Sequence, residues 1–162
     1  MQTFLPYSSF VQSAGCLDRQ RLGKQRVECL QILRTLIHDS RWRNHPAVRM
    51  WSGCERALYS YGVCICETWV DLGYRDTCKG KMFDEACNAG ILSGSLVMPD
   101  WFGWPEFHAS HRAALLAKDF NHYSRFGWEE QPAMPDAKGS LPYVWPSNHR
   151  YPPKFRWHLA AK

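Results

Sequence analysis

Apolar residues recur every three or four positions from Val48 to Trp69, and this spacing constrains the fold more than any other feature of the sequence. The recurring residues are Val48, Trp51, Cys54, Leu58, Tyr61, Ile65 and Trp69. Such spacing is typical of an α-helix with one apolar face, and Pro46 and Gly73 suit its first turn and its end. We therefore predict one long helix from Pro46 to Gly73.

A similar pattern upstream predicts another helix. Its recurring residues are Leu22, Leu30, Leu33 and Ile37. With Ser13 as a suitable N-cap, we expect one continuous helix from Ser13 to about Ile37, packed against the helix described above. Gly23 lowers its helix propensity by about 1 kcal/mol relative to alanine, which suggests that another group approaches the backbone closely there, a ligand backbone being one such group.

The rest of the chain is less regular. Glycines and prolines interrupt residues 74–104, so we expect loops there with one short helix at about residues 84–89. A third main helix is predicted over Phe107–Lys118. Six of the ten prolines fall between residues 132 and 153, and they exclude long regular structure. Residues 131–162 are therefore predicted to wrap the helices as an irregular, aromatic-rich strap.

Length and composition indicate one domain. A chain of 162 residues with 45% apolar content can bury one good core, so we predict a single compact all-α domain over residues 1–162 with three main helices. The seven cysteines show no disulfide-framework spacing and the N-terminus lacks the pattern of a secretory signal, which favours a cytoplasmic protein. No apolar run approaches the ~20 residues needed to span a bilayer. Because no Cys-x-x-Cys pair is present, we expect neither a metal nor a cofactor.

The charge distribution marks one region of the chain. Residues 1–50 carry eight basic and three acidic side chains, a net charge of +5 that equals that of the whole protein. Arg21, Lys24, Gln25 and Glu28 share one face of the predicted helix. A basic region concentrated in one segment is typical of a phosphate-binding surface. The single acid among these cations indicates chemistry on the ligand that the cations hold.

Four segments, taken in order, resemble the pyrimidine-dimer DNA glycosylases, small all-helical base-excision enzymes of the endonuclease V type. They are Leu17-Asp18 with Leu22 and Glu28, Arg43-Asn44-His45-Pro46, Gly73-Tyr74-Arg75, and His111 with Leu115, Lys118 and Tyr123. The order is preserved over roughly residues 1–125. The chain is similar in particular to a bacterial and phage branch that begins Met-Gln-Thr-Phe-Leu-Pro and ends Leu-Pro-Tyr-Val-Trp-Pro.

The resemblance implies a mechanism. In this family the N-terminal α-amine attacks the anomeric carbon of the sugar, displaces the base and forms an imine, and a helix glutamate assists before β-elimination breaks the strand. Glu28 matches that glutamate, and Met1 would supply the amine. An α-amine has a reference pKa of about 7.7 to 8.0, so more of it is neutral near pH 7 than of a lysine at about 10.4. The cations around Glu28 should keep this acid ionised.

The resemblance and the charge pattern together predict which residues bind the substrate. The predicted set is Gln2, Arg21, Lys24, Gln25, Arg26, Arg43, Asn44, His45, His111, Arg112 and Lys118. Arg19 and Arg41 would extend the same basic surface. The expected partner is DNA, or a nucleotide, and no membrane.

Two departures from the family pattern leave alternatives open. The bulk of Gln2 should prevent removal of Met1, so the nucleophile is the Met1 amine or is missing, with Lys24 as a second amine that could form an imine. Val27 stands where the family usually has arginine. The sequence therefore predicts a DNA N-glycosylase for a damaged or modified base, with or without AP-lyase strand cleavage. The alternatives are a non-catalytic nucleotide- or modified-DNA-binding protein and a glycosidic-bond enzyme for a free nucleotide.

Overall fold

All regular structure in the described part of the chain is helical, which confirms the predicted all-α class. The computed structural model describes residues 1–38 and 40–146. Its α-helices are α1 (Phe10–Cys16), α2 (Arg19–Ile37), α3 (Pro46–Arg49), α4 (Glu55–Asp71), α5 (Cys78–Asn88), α6 (Pro105–Lys118) and α7 (Phe120–Tyr123), and its 3-10 turns are Ile91–Ser93 and Ser124–Phe126. Within these ranges α2, α4, α5 and α6 are the long helices, one more than the three predicted.

The predicted helix from Ser13 to Ile37 is divided in two, so its predicted start is wrong. Ser9, rather than Ser13, caps α1. Asp18 then caps α2, because its carboxylate accepts hydrogen bonds from two backbone N–H groups of the first turn, at 2.9 and 3.1 Å. These donors have no partner within the helix, so an acceptor placed before them favours a new helix start.

The predicted helix from Pro46 to Gly73 is also divided. A turn at residues 50–54 separates α3 from α4, and Gly53 in that turn has φ +79°, a conformation that glycine adopts without steric strain. The apolar spacing continues across the break because Trp51, in the turn, is fully buried. Gly73, with φ +87°, follows the end of α4 as predicted.

The two later helices differ less from expectation. α5 covers Cys78–Asn88 and is longer than the predicted short helix at residues 84–89. Gly80 argues against a helix there, but Met82 and Ala86 are fully buried, and tertiary packing overrides a local propensity. α6 begins two residues before the predicted Phe107, with Pro105 in its first turn.

Helix α2 shares the centre of the packing with α4. It contacts α4 and α5, and α4 also contacts α1. The apolar side chains of these helices form one buried cluster that includes Leu22 and Leu33 of α2 and Leu58 of α4. A Cβ atom at Gly23 would lie 3.0 Å from the Trp69 ring. The close approach expected at Gly23 is therefore made by a side chain of α4 rather than by a ligand.

The chain after α7 lies along α6. Residues 127–145 contain neither helix nor strand, in agreement with the described part of the predicted strap. The Ala133 N–H donates to the Ala113 carbonyl at 2.9 Å, and the Val144 N–H donates to the Ser110 hydroxyl at 3.1 Å. The rest of the predicted strap lies outside the described residues. None of the helices in the described ranges has the length and apolar composition needed to cross a membrane.

Candidate active site

The first six residues run between the helices without regular structure, and residues 2–6 are all buried. Gln25, which the sequence placed among the substrate-binding residues, is fully buried on α2 and holds this segment instead. Its side-chain oxygen accepts from the Phe4 N–H at 3.0 Å, and its side-chain nitrogen donates to the Gln2 carbonyl at 2.8 Å. Gln25 therefore sets the position of the N-terminus relative to α2.

Helices α4 and α6 hold the other side of the same segment. Three side chains donate hydrogen bonds to consecutive carbonyls of the segment. The Tyr61 hydroxyl donates to the Phe4 carbonyl at 2.5 Å and the His108 ring to the Leu5 carbonyl at 2.7 Å. The Arg112 guanidinium donates to the Pro6 carbonyl at 2.7 Å. Buried backbone groups without partners are destabilising, so these three contacts restrict the course of the segment. The position of the Met1 amine follows from that course.

The N-terminal amine lies beside the acid of α2. The Met1 nitrogen is 3.9 Å from Glu28 Oε1, and Lys24 Nζ is 3.7 Å from the same oxygen. The Glu28 side chain is 8% exposed, whereas the Lys24 side chain is 73% exposed. Both distances exceed those of hydrogen bonds. Glu28 is thus flanked by two amines and tightly paired with neither, and we call Met1, Lys24 and Glu28 the amine–carboxylate cluster.

Burial raises the pKa of Glu28 above its ordinary value, although the charges of Lys24, the Met1 amine and Lys118 oppose this shift. The expectation that the cations keep this acid ionised therefore omits the larger effect. Desolvation disfavours the charged carboxylate more than these cations favour it. A carboxyl group whose pKa is raised toward neutral pH is suited to both donating and accepting a proton.

Arg21 is fixed by Asp18, which the sequence did not identify as a site residue. The Arg21 guanidinium donates to the Asp18 carboxylate at 2.6 Å and to the Lys118 carbonyl at 3.1 Å. The Tyr123 hydroxyl also donates to Asp18, at 2.6 Å. Burial alone would raise the pKa of Asp18, but the hydrogen bonds from Tyr123 and Arg21 outweigh it and lower the pKa. The ionised carboxylate thus ties the start of α2 to α7 through Tyr123, and Arg21 ties it to the end of α6.

Lys118 adds another amine near Glu28. Its ammonium lies 6.0 Å from the centroid of the Phe4 ring. Burial, followed by the charges of Arg21 and Lys24, lowers the pKa of Lys118. A lysine with a lowered pKa remains a cation for phosphate binding and is also easier to deprotonate.

The turn before α3 brings His45 to the same region. Its Nδ1 accepts a hydrogen bond from the Ala47 N–H at 3.1 Å, so His45 caps α3. Burial lowers the pKa of His45, and the positive charge of the N-terminal amine lowers it further. Arg43 and Asn44 precede it as exposed residues. Of these three predicted binding residues, the half-buried His45 therefore lies near the amine, and the other two lie at the surface directly before it in the chain.

His111, which was predicted to bind the substrate, lies in the interior of the fold. Its ring is fully buried, and its Nδ1 accepts from the Leu5 N–H at 3.4 Å. Burial lowers the pKa of His111 to about 3, so the ring is neutral at physiological pH. Its Nε2 has no hydrogen-bond partner among residues 1–38 and 40–146. His111 thus holds the N-terminal segment through its hydrogen bond with Leu5.

Two further arginines of the predicted substrate-binding set, like Arg21, are paired with acids of the protein. Arg26 lies on the other side of α2, where it pairs with Asp76 at 2.5 Å. Arg112 pairs with Glu130 at 2.6 Å while it also binds the N-terminal segment. Both guanidiniums therefore connect segments of the fold.

Tyr143 of the strap covers the site next to Gln2. Burial raises the pKa of Tyr143 to about 12, and the adjacent Gln2 side chain opposes this shift. The centroid of its ring is 5.3 Å from that of His111 and 5.6 Å from that of Trp145. The strap therefore contributes directly to the wall of the site.

The sequence held a signal for one of the missed residues but not for the others. An aspartate directly before a basic helix is typical of an N-cap, so Asp18 could have been found. The contacts of Tyr123 and Tyr143 depend on packing between distant segments; Tyr123 meets Asp18 across 105 positions. No local pattern predicts such a contact.

The sequence model of a family described as pyrimidine dimer DNA glycosylase matches residues 1–82, just over half of the chain. The matched region contains the N-terminal segment, α2 with Glu28, and the turn before α3. Helix α6 and the strap, with Lys118 and Tyr143, lie beyond it. No curated protein and no solved structure matches the chain significantly.

Proposed function

The chain belongs to the pyrimidine dimer DNA glycosylase family and is an enzyme of the DNA glycosylase type, and we propose that it excises a damaged pyrimidine through its Met1 amine and Glu28. The observation that carries this proposal is the 3.9 Å approach of the Met1 nitrogen to Glu28 Oε1. DNA is the partner that a DNA glycosylase requires.

The proposed reaction begins with the neutral form of the Met1 amine. Its lone pair forms a bond to C1′ of the target nucleotide, the glycosidic C–N bond breaks, and the bonding electron pair leaves with the base, which takes up a proton. Loss of a proton from the attacking nitrogen and opening of the sugar ring then give an imine between Met1 and C1′. Removal of a proton from C2′ would next expel the 3′ phosphate and break the strand.

Glu28 would carry protons in both stages. Protonated Glu28 can donate to the ring oxygen as the sugar opens, and ionised Glu28 can accept the proton from C2′. The raised pKa of Glu28 supports this double role because it makes the protonated form more accessible near neutral pH. The absence of a tight ion pair supports it as well, since a strongly paired carboxylate would resist protonation.

The DNA backbone would lie across the basic residues around the amine–carboxylate cluster. Lys24 and Lys118 flank Glu28, and Arg41 and Arg43 lie on the turn before α3. Phosphate contacts of this kind fix the register of the duplex without reading sequence. A target nucleotide unstacked from the duplex could then reach the Met1 amine.

Borohydride trapping tests the amine mechanism. The protein, with Met1 confirmed as its first residue by intact mass, is mixed with a duplex that carries one abasic site and is then reduced. Reduction converts an imine into a stable secondary amine, and peptide mapping identifies the nitrogen that carries the sugar. We expect the adduct on Met1.

Matched extensions provide the control. Two residues added before Met1 should abolish trapping, and the same two residues added after Lys162 should leave it unchanged. An adduct on Lys24 would replace Met1 as the nucleophile while retaining the imine. If the protein binds DNA without trapping or base release, the non-catalytic alternative is favoured, and base release from a free nucleotide alone would favour the nucleotide enzyme.

A further inference from the structure

Trp42 is a large aromatic side chain that is 52% exposed although its backbone is well held. The Trp42 N–H donates to the Ser40 hydroxyl at 3.2 Å, and the Trp42 carbonyl accepts from the His45 N–H at 2.9 Å. The Arg43 N–H donates to the Ser40 carbonyl at 2.9 Å. A tight turn therefore fixes the backbone from which the indole ring extends into solvent, and a side chain on a fixed backbone loses less entropy on binding.

Ring contacts connect Trp42 to the interior of the site. The centroid distances are 6.1 Å from Trp42 to His45, 6.3 Å from His45 to Trp145, and 5.6 Å from Trp145 to Tyr143. Tyr143 lies beside Gln2, the residue that follows the proposed nucleophile. We call Trp42, His45, Trp145 and Tyr143 the aromatic wall, which leads from the surface toward the Met1 amine.

Basic residues stand on both sides of the exposed ring in the sequence. Arg41 and Arg43 are both exposed, as is Asn44. Proteins that hold unstacked nucleic acid commonly combine cations for the phosphates with aromatic rings for the bases. Indole is the best aromatic surface for stacking and cation contacts, and stacking tolerates any base because every base has a π-face.

We propose that Trp42 stacks on the DNA base next to the target nucleotide and so stabilises the unstacked state in which the enzyme works. This inference rests on the proposed glycosylase function. When the target nucleotide leaves the stack, its neighbour loses a stacking partner, and the indole ring replaces that partner. The ligand is thus the face of a nucleobase, while Arg41 and Arg43 contact the flanking phosphates.

The test uses the full chain with Glu28→Gln, which prevents turnover, and a duplex with 2-aminopurine next to an abasic-site analogue. The fluorescence of 2-aminopurine reports on its stacking. We expect binding to change this fluorescence. Adding Trp42→Ala should remove the change and weaken binding by about 5- to 150-fold, the range that corresponds to loss of one base–aromatic stack. Trp42→Phe should retain most of both signals.

Phe83→Ala on α5 is the matched control, because Phe83 is 50% exposed and lies on a different helix. It should leave both signals unchanged. Trp42→Ala should also keep the salt dependence of binding, since it removes no phosphate contact.

Two results would overturn the inference: a Trp42→Ala protein that binds and perturbs the 2-aminopurine like its parent, or a Trp42→Phe protein as weak as the alanine variant. A parent protein that binds no duplex at all would instead overturn the glycosylase proposal. Thermal unfolding of each variant checks that the turn remains folded.

Discussion

The two sides of α2 differ in how closely their charged side chains are paired. On one side, Glu28 lies 3.9 and 3.7 Å from two amines, and burial raises its pKa. On the other side, Arg26 pairs with Asp76 at 2.5 Å. Burial alone would raise the pKa of Asp76, but hydrogen bonds from the Lys79 N–H and from Arg26 outweigh it and lower the pKa.

On the side of α2 where Arg26 pairs with Asp76, aromatic rings also cover the ion pair. The Arg26 guanidinium lies 4.3 Å from the centroid of the Trp69 ring, which stacks on Tyr74 at 4.2 Å. No comparable ring covers Lys24 among the described residues, and its side chain is 73% exposed. One helix thus carries a close ion pair that connects parts of the fold and an acid that lies farther from its two amines and is available to a ligand.

This difference teaches how to separate a structural acid from a reactive one on the same helix. A buried carboxylate with several hydrogen bonds stabilises the fold in its ionised form. A buried carboxylate without them destabilises the fold when ionised, and such perturbed groups are typical of functional sites. Each of the following predictions tests one side against the other.

The largest effect is expected on activity from Glu28→Gln. Base release should fall by about a hundredfold to ten-thousandfold, because a positioned acid–base group contributes that much to a proton-transfer step. Single-turnover assays on dimer-containing duplex measure it. DNA affinity should stay within a few fold, and unchanged turnover would show that Glu28 is not the catalytic acid.

Glu28→Gln should lower activity but raise the free energy of unfolding. The pKa of Glu28 is raised above 4.5, so the folded state binds more protons than the unfolded state in the window just above that value. The contribution of Glu28 to stability therefore falls as pH rises through this window. Denaturant unfolding from acidic to neutral pH should show Glu28→Gln gaining stability relative to the parent protein. A loss at neutral pH would mark Glu28 as a structural ion-pair member.

The next largest effect is expected on stability from Asp76→Asn. Its side chain is 3% exposed and that of Arg26 is 15% exposed, so the substitution leaves a largely buried guanidinium without its counterion. The free energy of unfolding should fall by about 3 kcal/mol. Base release measured well below the melting temperature should stay within a few fold, and a collapse of activity in a folded protein would contradict the comparison.

Acid should reduce this stabilisation in the parent protein. Because the pKa of Asp76 is lowered below 3.8, its contribution is fully present above that value and is lost as pH falls through the folded pKa. The gap in unfolding free energy between parent and Asp76→Asn should therefore narrow in strong acid.

The smallest effect separates two cations of α2 through salt. If Lys24 neutralises one phosphate, Lys24→Gln should make the slope of log affinity against log salt shallower by about 0.9 for duplex DNA. Arg26→Gln should leave the slope unchanged, because Asp76 already holds its guanidinium. Binding titrations from low to physiological salt measure both. An equal reduction with Arg26→Gln would restore the phosphate-binding role that the sequence predicted for it.

Local patterns account for the parts of the fold that were predicted well. Helical spacing of apolar residues indicated α2 and α4, and Gly73 marked the end of α4, since periodicity and capping act within a few residues. The boundary at Asp18 was missed because Ser13 is also a suitable N-cap, and the turn around Gly53 was missed because the apolar spacing continues through it. For the site, the charge pattern and the family resemblance pointed to Met1 and Glu28.

The sequence by itself therefore determined the all-α class and the acid among cations on one face of α2. Only the tertiary structure decided how deeply those residues are buried, which hydrogen bonds they form and how their pKa values shift. Gln25 holds the N-terminal segment through two hydrogen bonds. Burial raises the pKa of Glu28 although the nearby cations lower it. The Tyr123–Asp18 contact closed across 105 positions. Desolvation and long-range hydrogen bonds depend on which segments meet in space, whereas periodicity and capping depend only on neighbours along the chain.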